Sequence, residues 1–228
     1  MTMVVNSIAR AHSAGGRVFE VIDEESAIVD AEDAAPLKAD RGVVRFDDVS
    51  FGYGKESTLL HISLEARPDH TIGIVGAPGS GKSTIAHLVA RYYDVTGGQV
   101  SIDGTDVRKA ALKSVRHAVG LVRQDPFLFD GTIGDNIRYG NLDATQEQVE
   151  AAARTAQIHS FIESLPDGYD TEMGERGATV SGGQRQRIVI ARTLLLDPSI
   201  LIFDDATSSV DAGTDRRIRA ELAAASRG

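Results

Sequence analysis

Gly76-Ala77-Pro78-Gly79-Ser80-Gly81-Lys82-Ser83 decides how this chain is read. The stretch fits Gly-x-x-x-x-Gly-Lys-[Ser/Thr]. In that loop the glycines let the backbone wrap phosphates, the lysine reaches the β- and γ-phosphates, and the hydroxyl can bind Mg2+. Its flanks supply the matching context. Thr71-Ile-Gly-Ile-Val75 is a dense apolar run that predicts a buried parallel strand. Beyond the loop, Ile85, Leu88, Val89 and Tyr92 recur at helical spacing. Strand, loop and helix in this order aim the positive end of a helix at an anion. Gly76 through Ser83, with Thr84, are therefore the candidate contacts to a nucleoside triphosphate.

Further along, Ile200-Leu-Ile-Phe203 is a short apolar strand ending in Asp204. A carboxylate at the carboxyl end of a buried strand beside a phosphate loop can hold Mg2+ through its waters, whereas a lone Asp there is more often a turn residue. Gln124 follows the strand-like Val119-Gly-Leu-Val122; taken alone it reads as a solvated loop residue. Ser181, Gly182, Gly183 and Gln184 precede a helical stripe of Ile188, Val189, Ala191, Leu194 and Leu195. Glycines at a helix N-terminus expose backbone N–H groups to an anion.

In this order, the phosphate loop, Gln124, Val180-Ser-Gly-Gly-Gln184 and Ile200–Asp205 running on to Asp211 resemble the nucleotide-binding domain of an exporter-type ABC transporter. The likeness covers residues 43 to 228, with a weaker echo before them. It implies an α/β fold: a phosphate-loop NTPase core with a mixed sheet, an antiparallel β subdomain and a helical signature subdomain at about 125–180. It also implies ATP and Mg2+ as ligands, with Ser83, Gln124 and Asp204 around the metal. Lys82, Gln124 and Asp205 would be the catalytic set. Tyr53, in the turn after Val49-Ser-Phe51, would stack on adenine; otherwise it anchors a strand turn. Ser181 to Gln184 would act on ATP held by a second nucleotide-binding domain, and Ser208-Ser-Val-Asp211 would line that seam. Asp125 to Ile137 and Gly174-Glu-Arg-Gly177 would face membrane domains, which places the chain at the cytoplasmic side of a membrane.

Two features depart from the family pattern. Asp205 stands where the family places its catalytic glutamate, and no histidine follows Asp211 before the chain ends at Gly228. On this reading the domain is truncated before its histidine switch. A regulatory subunit that binds ATP and barely hydrolyses it, in a homo- or heterodimer, is the alternative. A non-transport ABC ATPase is a further one, although no long coiled-coil insertion or basic linker is present.

Bulk properties narrow the rest. Apolar residues make up 42% and charged residues 25% of 228, as in ordinary globular proteins, and cysteine is absent. The net charge of −9 is concentrated in residues 23–42, where seven acids face Lys38 and Arg41 and the composition is that of a solvated linker. The basic stripe of a nucleic-acid binder is lacking. Residues 1–22 read as a helical segment weakened by Gly15-Gly16. Val44-Arg-Phe46 and Ile62-Ser-Leu64 alternate like antiparallel strands, and Val100-Ser-Ile102 runs into an Asp103-Gly104 turn. Thr145 and Gln148 form a capping box for a helix expected to run on towards Phe161, Ile162 and Leu165, with Pro166-Asp-Gly168 closing it.

Overall fold

The alternating run after Val43 forms β1 (Val44–Tyr53), which pairs antiparallel on one side with β2 (Glu56–Ala66) and on the other with β3 (Gly97–Ile102). The computed structural model describes residues 2–24, 26–54, 56–174, 180–206 and 209–225. A short β4 (Thr105–Asp106) closes the sheet in the order β2-β1-β3-β4. The Asp103-Gly104 turn joins β3 to β4 with both residues at positive φ, as a two-residue hairpin with right-handed strand twist requires. Asp103 has a second use: its carboxylate accepts the N–H groups of Arg41, Gly42 and Val43, which seats the start of β1.

One face of this sheet buries Phe46, Val100 and Ile102 against Leu88 and Val89 of α2 (Lys82–Val89) and Val115 of α3 (Leu112–Ala118). Full burial of each such side chain is worth about 1.5–3 kcal/mol, so this contact fixes the helix that follows the phosphate loop. Tyr92, read as part of the helical stripe, lies beyond the end of α2 and is exposed.

A second core gathers the helices between residues 133 and 195. It contains α4 (Ile133–Arg138), α5 (Gln146–Thr155), α6 (His159–Glu163) and α7 (Gly182–Leu195), packed through Ile133, Ile137, Val149, Ile162, Ile188 and Ile190. The Thr145–Gln148 capping box opens α5 as expected. The helix does not run on to Leu165, however. Gln157 takes φ +58, a left-handed conformation that terminates it, and Ile158 starts a new turn into α6. The little sheet of β6 (Gly131–Thr132) and β7 (Glu172–Met173) has no sequence signal long enough to read.

β5 (Val119–Val122) lies parallel to β8 (Ile200–Phe203), in register from Val119–Ile200 to Val122–Phe203. Thr71–Val75, expected as a buried parallel strand, is not one. It runs without strand pairing, with Ile72 and Ile74 exposed and Val75 96% exposed. A strand needs a neighbour for its N–H and C=O groups. The described residues put β5 beside β8 and place no strand next to 71–75.

Before the sheet, α1 (Thr2–Ile22) forms without a break at Gly15-Gly16. The described carboxylates of the acidic stretch after it are exposed, yet its backbone is tied down. Arg91, 3% exposed, donates to the Val29 carbonyl; Asp30 accepts from Leu112 N–H at the start of α3; and Leu37 N–H donates to Ser114 Oγ.

Candidate nucleotide site

The phosphate loop is shaped by its own hydrogen bonds. Ser80 N–H donates to the Ala77 carbonyl at 3.2 Å and closes the turn through Pro78 and Gly79. Gly81 then takes φ +89, and a Cβ there would come within 2.7 Å of Leu59 Cδ2 in the buried core, so only glycine fits. Gly81 also occupies the N-cap of α2 with no side-chain cap. The first N–H groups of the helix, at Lys82, Ser83 and Thr84, therefore have no side-chain cap and can serve an anion held by the loop. Lys82 Nζ lies over the loop, donating to the carbonyls of Gly76 and Ala77 at 3.0 Å each.

The most telling contact spans 121 residues: Ser83 Oγ donates to Asp204 Oδ1 at 2.9 Å. It joins the first turn of α2 to the carboxyl end of β8. Asp204 is held there because its N–H donates to the Val122 carbonyl at 2.9 Å, which locks the end of β8 to the end of β5. A hydroxyl and a carboxylate at hydrogen-bond distance beside a phosphate loop are a hard-oxygen donor set suited to Mg2+. Gln124 leaves β5 at this same end of the sheet, two residues past Val122, and is exposed. Asp205, next to Asp204, is exposed and takes φ +48. The ends of the two parallel strands thus bring three of the predicted residues, Gln124, Asp204 and Asp205, to one edge of the fold.

Tyr53 ends β1, 48% exposed, with its hydroxyl 3.3 Å from Thr84 Oγ1. Its ring stands edge-on to Phe51 and Tyr93 at 4.9 and 5.1 Å. The aromatic is therefore anchored to the helix that follows the phosphate loop and still presents a half-exposed ring.

The signature residues open α7. Ser181 is the N-cap; its Oγ accepts from Gln184 N–H, while Gln184 Oε1 accepts from Ser181 N–H at 2.7 Å. This reciprocal box fixes the helix start and leaves the Gly182 and Gly183 N–H groups uncapped by side chains. Arg187 adds a brace, donating to the carbonyls of Gly183 and Gln157. Of the stretch Ser208–Asp211, expected to line the seam with a second domain, Ser209–Asp211 is described, and Asp211 caps α8 (Ala212–Ala225) through Thr214 N–H. Ser208, and residues 175–177 of the Gly174–Gly177 stretch expected to face membrane domains, lie outside the described residues.

The two signature glycines are not equivalent. A Cβ on Gly183 would meet the Ser209 backbone carbonyl at 2.7 Å, whereas on Gly182 the nearest atom is Ser209 Cβ at 3.9 Å. Gly182→Ala should therefore melt no lower than wild type, because alanine is favoured in a helix by up to about 1 kcal/mol. Gly183→Ala should lose about 1–3 kcal/mol through overpacking and loosen Ser209–Asp211. Thermal melts with amide exchange over residues 209–211 check this; equal behaviour of the two variants would contradict it.

Sequence reasoning missed the residues that α7 sends beneath the site. Gln186, fully buried, donates from Nε2 to the Arg123 carbonyl at 3.4 Å. Arg192 donates to Asn136 O, Asn136 Oδ1 and Phe127 O at 2.7, 2.8 and 3.0 Å. Its guanidinium also lies over the rings of Phe129 and Tyr139, and burial pulls its pKa down to about 10. Above it, Phe127, Phe129, Tyr139 and Leu142 are exposed, Tyr139 by 59% and Leu142 by 75%. Phe127 and Phe129 fall within the Asp125–Ile137 stretch expected to face membrane domains, whereas Tyr139 and Leu142 lie beyond it.

The profile of the family described as ABC transporter matches residues 59–208. A multidrug efflux ATP-binding/permease protein of Mycobacterium bovis is 53% identical over 208 residues, which are 90% of this chain and 17% of that protein. ATP-binding cassette sub-family B member 6 of Homo sapiens is 44% identical over 90% of this chain and 25% of its own length. Among solved structures, that of a bacterial Atm1-family ABC exporter with ATP bound superposes with a TM-score of 0.89 and 43% identity. That match covers 98% of this chain and 39% of the other. This chain thus spans well under half of the relatives it matches.

Proposed function

The chain belongs to the ABC transporter family, and from that premise we propose that it is the ATP-binding and ATP-hydrolysing domain of an exporter. The observation that carries the reading is the Ser83–Asp204 contact, which joins the phosphate loop to a strand-end carboxylate of a chemistry suited to Mg2+. The ion, when bound, would neutralise charge between the phosphates. Ser83, Asp204 and Gln124 are the residues to hold it, and Lys82 with the α2 N–H groups would hold the phosphates themselves. Asp205 would orient the attacking water and accept its proton. Tyr53 would stack on the base, a contact worth about 1–3 kcal/mol by analogy with nucleic-acid bases.

ATP held by Gly76–Ser83 of one copy would be completed by Ser181–Gly183 of a second nucleotide-binding domain, arranged head to tail. The uncapped glycine N–H groups at the start of α7 support this arrangement. Membrane domains would dock on the exposed aromatic surface of Phe127, Phe129, Tyr139 and Leu142, an apolar group too clustered to be incidental. Among the described residues no helix is long and apolar enough to cross a membrane. On this reading the chain works at the cytoplasmic face, attached through those partners.

Sedimentation analysis tests the pairing. Addition of ATP and Mg2+ should convert monomer to dimer in the wild type and leave Lys82→Ala monomeric. A wild-type chain that stays monomeric at saturating nucleotide would overturn the sandwich.

A second reading has one observation in its favour, Asp205 at the position of the base. It makes this chain the slow, regulatory half of a heterodimer. A partner carrying glutamate at that position, and mixed dimers forming in preference to homodimers, would select it.

A further inference from the structure

The loop that carries Gln124 hangs from α7 at two points. Gln186 Nε2 donates to the carbonyl of Arg123, the residue before Gln124, and Arg192 donates to the carbonyl of Phe127, three residues after it. One residue upstream, the Val122 carbonyl is taken by Asp204 N–H. Consecutive carbonyls at the end of β5 therefore belong to the metal-site strand and to the signature helix. The start of that helix is Ser181, Gly182 and Gly183.

The two grips differ in quality. Arg192 makes short bonds to Phe127 and Asn136 and lies over two rings. Gln186 makes one long bond of 3.4 Å, and its Oε1, buried with the rest of the fully buried side chain, meets no donor among the described residues. An unsatisfied buried acceptor lowers stability, and an apolar side chain of the same shape would remove that cost. A glutamine here is thus poor for the fold taken alone and suited to a bond that changes. Its free oxygen can take up a backbone or amide N–H from the Arg123–Gln124 segment as that segment shifts.

We infer that Gln186 is a positioning residue for Gln124, tying the placement of the metal-side glutamine to the seating of the signature helix. This rests on the reading of Gln124 as a Mg2+ residue. Displacement of α7 by phosphate bound at Ser181–Gly183 is then passed to Gln124 through one buried side chain.

The test uses the whole chain and compares ATP affinity in EDTA with ATP affinity in Mg2+. Gln186→Met keeps the volume and removes both amide groups. Its melting temperature should equal or exceed wild type, and its affinity in EDTA should stay within about twofold. The gain in affinity on adding Mg2+ should fall about tenfold, as it should for Gln124→Ala. The double variant should fall no further, because the two residues act in one path. Gln186→Asn retains an amide but withdraws it by about 1.5 Å, one C–C bond, and should behave like Gln186→Met. If Gln124→Ala loses the Mg2+ gain while both Gln186 variants keep it, the positioning role is wrong and the metal reading stands. If Gln124→Ala keeps the gain, the metal reading fails and takes the proposal with it.

Discussion

Lys82→Ala should abolish most ATP binding while leaving the fold intact. In the structure Nζ donates to two carbonyls of its own loop, those of Gly76 and Ala77, both exposed residues. Removing the amine hands those carbonyls to water and opens no core cavity, so the melting transition should move by no more than a surface substitution allows, about 0.5 kcal/mol. The ligand loses far more. A charge-assisted hydrogen bond to phosphate is worth about 1.5–3 kcal/mol. Two such bonds amount to about 3 kcal/mol or more, on the order of 10²-fold in Kd. Titration of labelled ATP against both proteins, with melts in parallel, measures each quantity. Equal affinities would sink the assignment of this loop as the phosphate site.

The residues that could be recognised in advance share one property: their chemistry is local. The phosphate loop is a contiguous stretch whose glycine conformations are set by its own turn. The capping boxes of Thr145 with Gln148 and Ser181 with Gln184 close within three residues. Asp103-Gly104 is a turn by its own φ preferences. What could not be read was tertiary. Nothing within a few residues of Gln186 or Arg192 announces that their side chains hold carbonyls 63 and 65 residues away. The break at Gln157 was hidden because the apolar positions continue across it, and periodicity does not register one left-handed residue. Thr71–Val75 shows the converse error. Its composition suits a buried strand, but a strand is a property of a pair, and β8 is paired with β5. The acidic stretch was legible as solvated side chains and illegible as backbone, since the ties from Arg91 and Ser114 to Val29 and Leu37 come from other parts of the chain.

Asp205→Glu should accelerate hydrolysis by about 10²-fold with little change in ATP affinity. Asp205 is exposed beside Asp204 at the end of β8, where a carboxylate can face a water approaching the terminal phosphate. Its side chain is one methylene shorter than glutamate, which draws the oxygens back by about 1–1.5 Å, since a C–C bond is about 1.5 Å. A misplacement near 1 Å costs on the order of 10²-fold in rate, or about 2.7 kcal/mol of barrier. On the proposed reading nucleotide affinity would rest instead on Lys82, the α2 N–H groups and the Ser83–Asp204 pair, none of which the substitution touches. The backbone sets a counter-effect. Asp205 sits at φ +48, a region that Asp enters more readily than Glu, so the variant should lose stability, by about 1 kcal/mol or less. Rate and stability are thus expected to move in opposite directions, an outcome that general improvement or damage of the fold would not produce. Single-turnover release of labelled phosphate, with protein in excess over ATP, reads the chemical step, and Asp205→Asn sets the floor. If glutamate brings no acceleration while asparagine removes the activity, Asp205 already reaches the water and the short-side-chain account fails. If neither substitution changes the rate, the base is another group and the regulatory reading loses the one observation that favoured it.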